Sequence, residues 1–67
     1  MNKNKLAKNI NKFRKERGWT QEQLAENSGV TYTTIIKLEQ GVVENPTLRT
    51  LEKLAKVFEV SIDNLIK

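Results

Sequence analysis

Tyr32, Thr33, Ile36, Lys37 and Gln40 fall on one side of a helical projection, at 100° per residue. Together they offer two hydroxyls, an ammonium, an amide and a branched aliphatic chain. Such a set can hydrogen-bond and pack against a partner. It supplies no general base and no metal-ligand cluster. The rest of the chain adds none. There is no His and no Cys, hence no imidazole, no thiolate and no Cys/His zinc site. The carboxylates are scattered singly, and the other hydroxyls sit at helix starts, where capping accounts for them. Neither a Gly-rich phosphate loop nor a calcium-type acid cluster occurs. The expectation is a non-enzyme, with no metal, cofactor or small-molecule ligand, that works by binding.

What it would bind is suggested by charge. The chain has 12 Lys and Arg against 8 Asp and Glu, a net charge of +4. Residues 1–17 hold seven of the bases (Lys3, Lys5, Lys8, Lys12, Arg14, Lys15, Arg17) and one acid, Glu16, for +6. The remaining fifty residues sum to −2. Such asymmetry points to a polyanion, either nucleic acid or a membrane surface. A solvated helix face is the plainer reading, because Lys5, Lys8, Lys12 and Lys15 line the side opposite Leu6, Ile10 and Phe13. Both stay open on charge alone. No apolar run exceeds two residues, so neither a membrane span nor a signal-peptide core is expected, and a cytoplasmic location is.

The elements that position these residues are short and clearly punctuated. One domain over residues 1–67 is expected, and a chain of this size buries only about 60% of its unfolded surface. With no disulfide, well-capped helices or association must supply stability. Residues 4–17 have helical spacing and stop at Gly18. Thr20 can cap a second helix, with Gln23 completing a capping box and Trp19 stapled onto Leu24. Ser28-Gly29 ends it, and Thr31 caps a third that runs to Gln40-Gly41. Thr47 caps a fourth, with an apolar stripe of Leu48, Leu51, Leu54, Ala55 and Phe58, and Ser61 caps a fifth. The fold class is all-α.

Two of these helices meet across a very tight turn. In Gln21 to Gln40 they join at Ser28-Gly29-Val30, too short a link for antiparallel packing, so they must cross steeply as a helix-turn-helix over about residues 21–40. Ala25 must then be small, Gly29 sits where positive φ is wanted, and Leu24, Ile35 and Leu38 fill the wedge. Each choice is ordinary in a helical bundle. Their joint spacing is the specific signal.

Over about Leu6 to Ile66 the sequence resembles the phage-repressor/Cro-type helix-turn-helix family, also called the XRE family. The stretches that carry the resemblance are RKERGWTQEQLAENSGV, TTIIKLEQG and NPTLRTLEKLAKVFEVSIDNL. The resemblance implies a compact five-helix, lambda-repressor-like domain whose third helix enters the major groove of double-stranded DNA, commonly as a dimer on a palindromic operator. The third helix fits that role on its own residues. Lys37 can reach guanine acceptors, Ile36 a thymine methyl, and Thr33 and Tyr32 base edges or phosphates. A solvated face would carry Glu and Lys, whereas this one has a single Lys and no acid.

The resemblance also assigns roles outside the reading face. Gln21 matches the family's phosphate clamp at the start of helix 2, and Gln40 with Gly41 matches a second clamp. Thr31 and Arg14 are further phosphate candidates. Arg14 is expected to pair with Glu39, since both lie at the margin of an apolar face where an unpartnered charge is costly. Dimer contacts would fall on Val42, Val43, Ile62 and Asn64, giving a homodimer that is weak without DNA. Val42, Val43 and Glu44 stand where relatives often carry Lys or Arg. The two valines suit a second subunit or the chain's own core equally. The functional expectation is a transcriptional regulator, a repressor by operator occupancy. The alternative is an antitoxin or other protein-interaction module of the same fold, with DNA binding secondary. A membrane-surface peptide is a weaker third reading, because the fold needs helix 1's apolar face.

Overall fold

The computed structural model describes residues 3–42 and 46–67. Among the described residues there are five helices, α1 (Lys3–Glu16), α2 (Gln21–Ser28), α3 (Tyr32–Gln40), α4 (Leu48–Phe58) and α5 (Ile62–Ile66). None is long and apolar enough to cross a membrane.

Four of the helices start where the hydroxyls fall. Thr20 Oγ1 accepts the Gln23 N–H at 3.1 Å, while Gln23 Oε1 accepts the Thr20 N–H at 2.8 Å, a complete capping box. Thr31, Thr47 and Ser61 accept from Thr34, Thr50 and Asn64 in the same way. Each bond satisfies an N–H that the first helical turn leaves without an internal partner. The stops are left-handed. After α1 the chain turns at Gly18, with the Trp19 N–H returning to the Arg14 carbonyl at 3.2 Å. At Gly29 a Cβ would meet nothing within 4 Å, so glycine is required there by its φ of +79° and not by space. α4 closes on Glu59 at φ +58°, a left-handed residue with a Cβ.

The core is where the apolar spacings converge. Leu6 and Ile10 of α1, Leu24 of α2, Ile35 and Leu38 of α3, Leu54 and Phe58 of α4 and Leu65 of α5 are fully or almost fully buried. Trp19 lies half-buried against this core, its ring stacked on Phe58 at 6.4 Å between centroids. One detail departs from the sequence expectation. Leu48 is 64% exposed and contributes nothing to the core. It is the first residue of α4, and side chains lean toward the helix N-terminus, which carries it one turn beyond Leu51 and off the edge covered by the other helices.

Side chains from distant elements complete the helix ends. Asn9 Nδ2 donates to the carbonyls of Leu65 at 2.9 Å, Lys67 at 3.0 Å and Asn64 at 3.3 Å, closing α5 from α1. The Arg17 guanidinium donates to the Phe58 carbonyl at the end of α4 and lies 5.6 Å from the Trp19 ring. Lys53 Nζ donates to the Gly29 carbonyl at 3.3 Å, tying α4 to the turn between α2 and α3. Cationic or amide donors at carbonyl-rich helix ends also complement the helix dipole.

Candidate nucleic-acid interface

α3 presents two sharply different sides. Ile35 and Leu38 face the core and are buried. On the opposite side Thr33, Lys37 and Gln40 are exposed, Tyr32 is 44% exposed, and Ile36 is half-buried at the edge. The four base-reading candidates therefore share one accessible surface.

That surface carries no carboxylate because the only acid of α3 points the other way. Glu39 Oε2 accepts Arg14 Nε at 2.7 Å and Glu39 Oε1 accepts Arg14 Nη2 at 3.0 Å, a bidentate pair whose side chains are 12% and 6% exposed for Arg14 and Glu39. Asn11 Nδ2 adds a further bond to Oε1 at 2.8 Å. Burial acts to raise the Glu39 pKa, but hydrogen bonds from Arg14, Asn11 and Gln21, with the Arg14 charge, outweigh it and hold the carboxyl below its ordinary 4.5. The hydrogen bond to Glu39 likewise raises Arg14, against the desolvation that lowers it. Arg14 Nη1 donates to the Trp19 carbonyl at 2.8 Å. Three of its five N–H donors are thus committed within the protein, leaving at most two for a phosphate.

The remaining phosphate candidates fall at two ends of the surface. Gln21 is the first residue of α2, where backbone N–H groups have no partner inside the helix. Thr31 is exposed, but its hydroxyl is engaged with Thr34, donating to Oγ1 at 2.8 Å and accepting from the N–H at 3.4 Å. Gly41 is the left-handed cap of α3. Its N–H turns back to the Leu38 and Lys37 carbonyls, and the Val42 N–H to Lys37 at 3.2 Å. Those two amides close the helix, so the clamp expected from the Gly41 backbone lacks its donor, and among the described residues the exposed amide of Gln40 is what that end offers.

The described dimer candidates differ in exposure. Val42 is 58% exposed and Asn64 is exposed, whereas Ile62 is half-buried and already packs against the core. Val43 lies outside the described residues. Sequence reasoning passed over Asn11 and the exposure of Leu48. Asn11 did carry a signal, being three residues before Arg14 on the same side of α1.

Arg14 and Arg17 bond to acceptors within the protein, while Lys5, Lys8, Lys12 and Lys15 are exposed along α1.

Comparison with known proteins agrees with this geometry. The model of the family described as Helix-turn-helix matches residues 10–65. The HTH-type transcriptional regulator SinR of Bacillus subtilis is 33% identical over 61 residues, 91% of this chain and 55% of SinR. An uncharacterized HTH-type transcriptional regulator of Archaeoglobus fulgidus is 46% identical over 56 residues, 84% of this chain and 79% of that protein. This chain thus spans about half the length of SinR. Among solved structures, the hypothetical transcription factor NHTF from Neisseria superposes with a TM-score of 0.90 at 31% identity, covering 100% of this chain and 76% of that one. An HTH_3 family transcriptional regulator from Vibrio cholerae gives 0.85 at 31% identity, covering 97% and 36%. Five helices, four of them capped by hydroxyls, the α2–α3 turn at Gly29 and these matches place the chain in the XRE/Cro-type helix-turn-helix family of transcriptional regulators, which are not enzymes.

Proposed function

We propose that this domain reads double-stranded DNA through the outer face of α3 and regulates transcription by occupying an operator. The observation that carries the reading is the sorting of charge on α3. Its one acid is held inward by Arg14 and Asn11, and its outward residues are hydroxyls, an amide, an aliphatic side chain and Lys37. A phosphate-lined groove repels carboxylates, so a helix cleared of them on one side suits insertion. Tyr32, Thr33, Ile36 and Lys37 contact base edges in this reading, with phosphates taken by Gln21, Gln40, Thr31 and the spare donors of Arg14. The site is palindromic and bound by a homodimer, with half-sites about 34–36 Å apart. Val42, Val43, Ile62 and Asn64 supply the interface, which is small enough that DNA assists pairing.

Selection of bound duplexes from a random pool tests the reading. An enriched palindrome is expected. Lys37→Ala and Thr33→Ala should then cost about 1–3 kcal/mol on that site and relax one position of it each. Gln21→Ala should weaken all sequences evenly. Absence of enrichment, or unchanged base preference in both α3 variants while circular dichroism shows them folded, overturns it. One chain per site in sedimentation would remove the dimer.

A further inference from the structure

Glu39 is gripped by two residues of α1, not one. Arg14 takes Oε2 at 2.7 Å and Oε1 at 3.0 Å, and Asn11 takes Oε1 at 2.8 Å from three residues earlier on the same side of the helix. A guanidinium alone leaves its carboxylate able to pivot along the fork. A second donor with a different origin removes that freedom. Arg14 Nη1 also holds the Trp19 carbonyl, two residues before α2 begins, at 2.8 Å. One carboxylate near the end of α3 therefore fixes that helix against both α1 and α2.

We infer that Asn11 is a positioning residue for DNA recognition. By completing the grip on Glu39 it sets the register of α3 relative to α1 and to Gln21, and so the offset between the base-reading face and the phosphate contacts at α2. The inference rests on the DNA-binding reading above. Asn11 needs no contact with DNA of its own for this, because it acts through the N–H that its half-buried amide donates to Glu39. A slack α3 would still meet phosphates, whose contacts tolerate small shifts. Base edges would not be met, since they demand directed hydrogen bonds.

The test compares the full chain with Asn11→Ala, Asn11→Gln and, as a control for lost stability, Val57→Ala, which loosens the packing of α4 without touching Glu39. Affinities are measured for the selected operator and for a random duplex, and the Glu39 carboxyl is titrated by NMR. Asn11→Ala is expected to lower operator affinity about fivefold while random-duplex affinity stays within about twofold. It should also raise the pH at which Glu39 titrates. Asn11→Gln, which keeps an amide, should recover part of both, and Val57→Ala should leave the operator-to-random ratio unchanged. An unmoved Glu39 titration, an unchanged ratio in Asn11→Ala, or an equal fall in Val57→Ala overturns the inference. If the unaltered chain prefers no sequence, the DNA reading itself falls, and the recognition role with it. A normal operator preference with an unmoved Glu39 strikes Asn11 alone.

Discussion

Removing Arg14 or Glu39 should unfold this domain more readily than any surface charge change. The side chains are 12% and 6% exposed and joined by two N–H···O bonds of 2.7 and 3.0 Å. In Arg14→Met the carboxylate keeps the Asn11 amide donor. Breaking a fully buried pair costs about 3–5 kcal/mol, and that amide brings the expectation here to about 2–4 kcal/mol. Glu39→Gln leaves the guanidinium with the Trp19 carbonyl and one neutral acceptor, at about 1.5–3 kcal/mol. The double variant should cost little more than the worse single one, so the coupling energy is about 2 kcal/mol. A chain of this length is stable by only about 3–10 kcal/mol, and each kcal/mol moves Tm by about 4–8 °C in a small domain. Arg14→Met should therefore lower Tm by about 8–32 °C. Urea unfolding at pH 7, followed by circular dichroism with m-values compared, gives the cycle. A coupling under about 0.5 kcal/mol, the level of exposed surface pairs, would refute the reasoning.

The same pair gives a pH dependence. Folded Glu39 titrates below its ordinary 4.5, so as the pH falls the unfolded chain takes up this proton first. The stabilisation is fully present above pH 4.5 and is lost as the pH drops through the lower folded value. Wild type should lose more stability than Glu39→Gln in acid urea titrations over that window. Asn9→Ala should cost about 1–2 kcal/mol through the carbonyls at the end of α5. Asn9→Asp should cost more, because a carboxylate would face those oxygens, and hydrogen exchange at α5 should rise in both. Glu59→Gly should stabilise the fold by up to about 1 kcal/mol in thermal melts, since Glu59 holds φ +58°.

Sequence by itself determined everything that is decided within a few residues. Thr20, Thr31, Thr47 and Ser61 cap helices because a hydroxyl reaches an N–H three residues on. Gly18, Gly29 and Gly41 stop helices because they take positive φ without a Cβ penalty. The helical period picked out Leu24, Ile35, Leu38, Leu54 and Phe58 as core for the same local reason. The outward set on α3 was legible in this way too.

Tertiary structure decided whatever depends on where a helix end lands. Asn9 reaches a carbonyl 56 positions away and Arg17 one 41 positions away, and no local pattern marks either partner. Leu48 fits the apolar stripe by angle yet stands in solvent, because periodicity gives a residue's direction and not how far its neighbours extend. Glu59 closes α4 in a conformation suited to glycine, which its residue type does not announce. Arg14 and Glu39 were matched through the family resemblance. Asn11 and the Trp19 carbonyl became their partners only once α1, the start of α2 and α3 came together around one carboxylate.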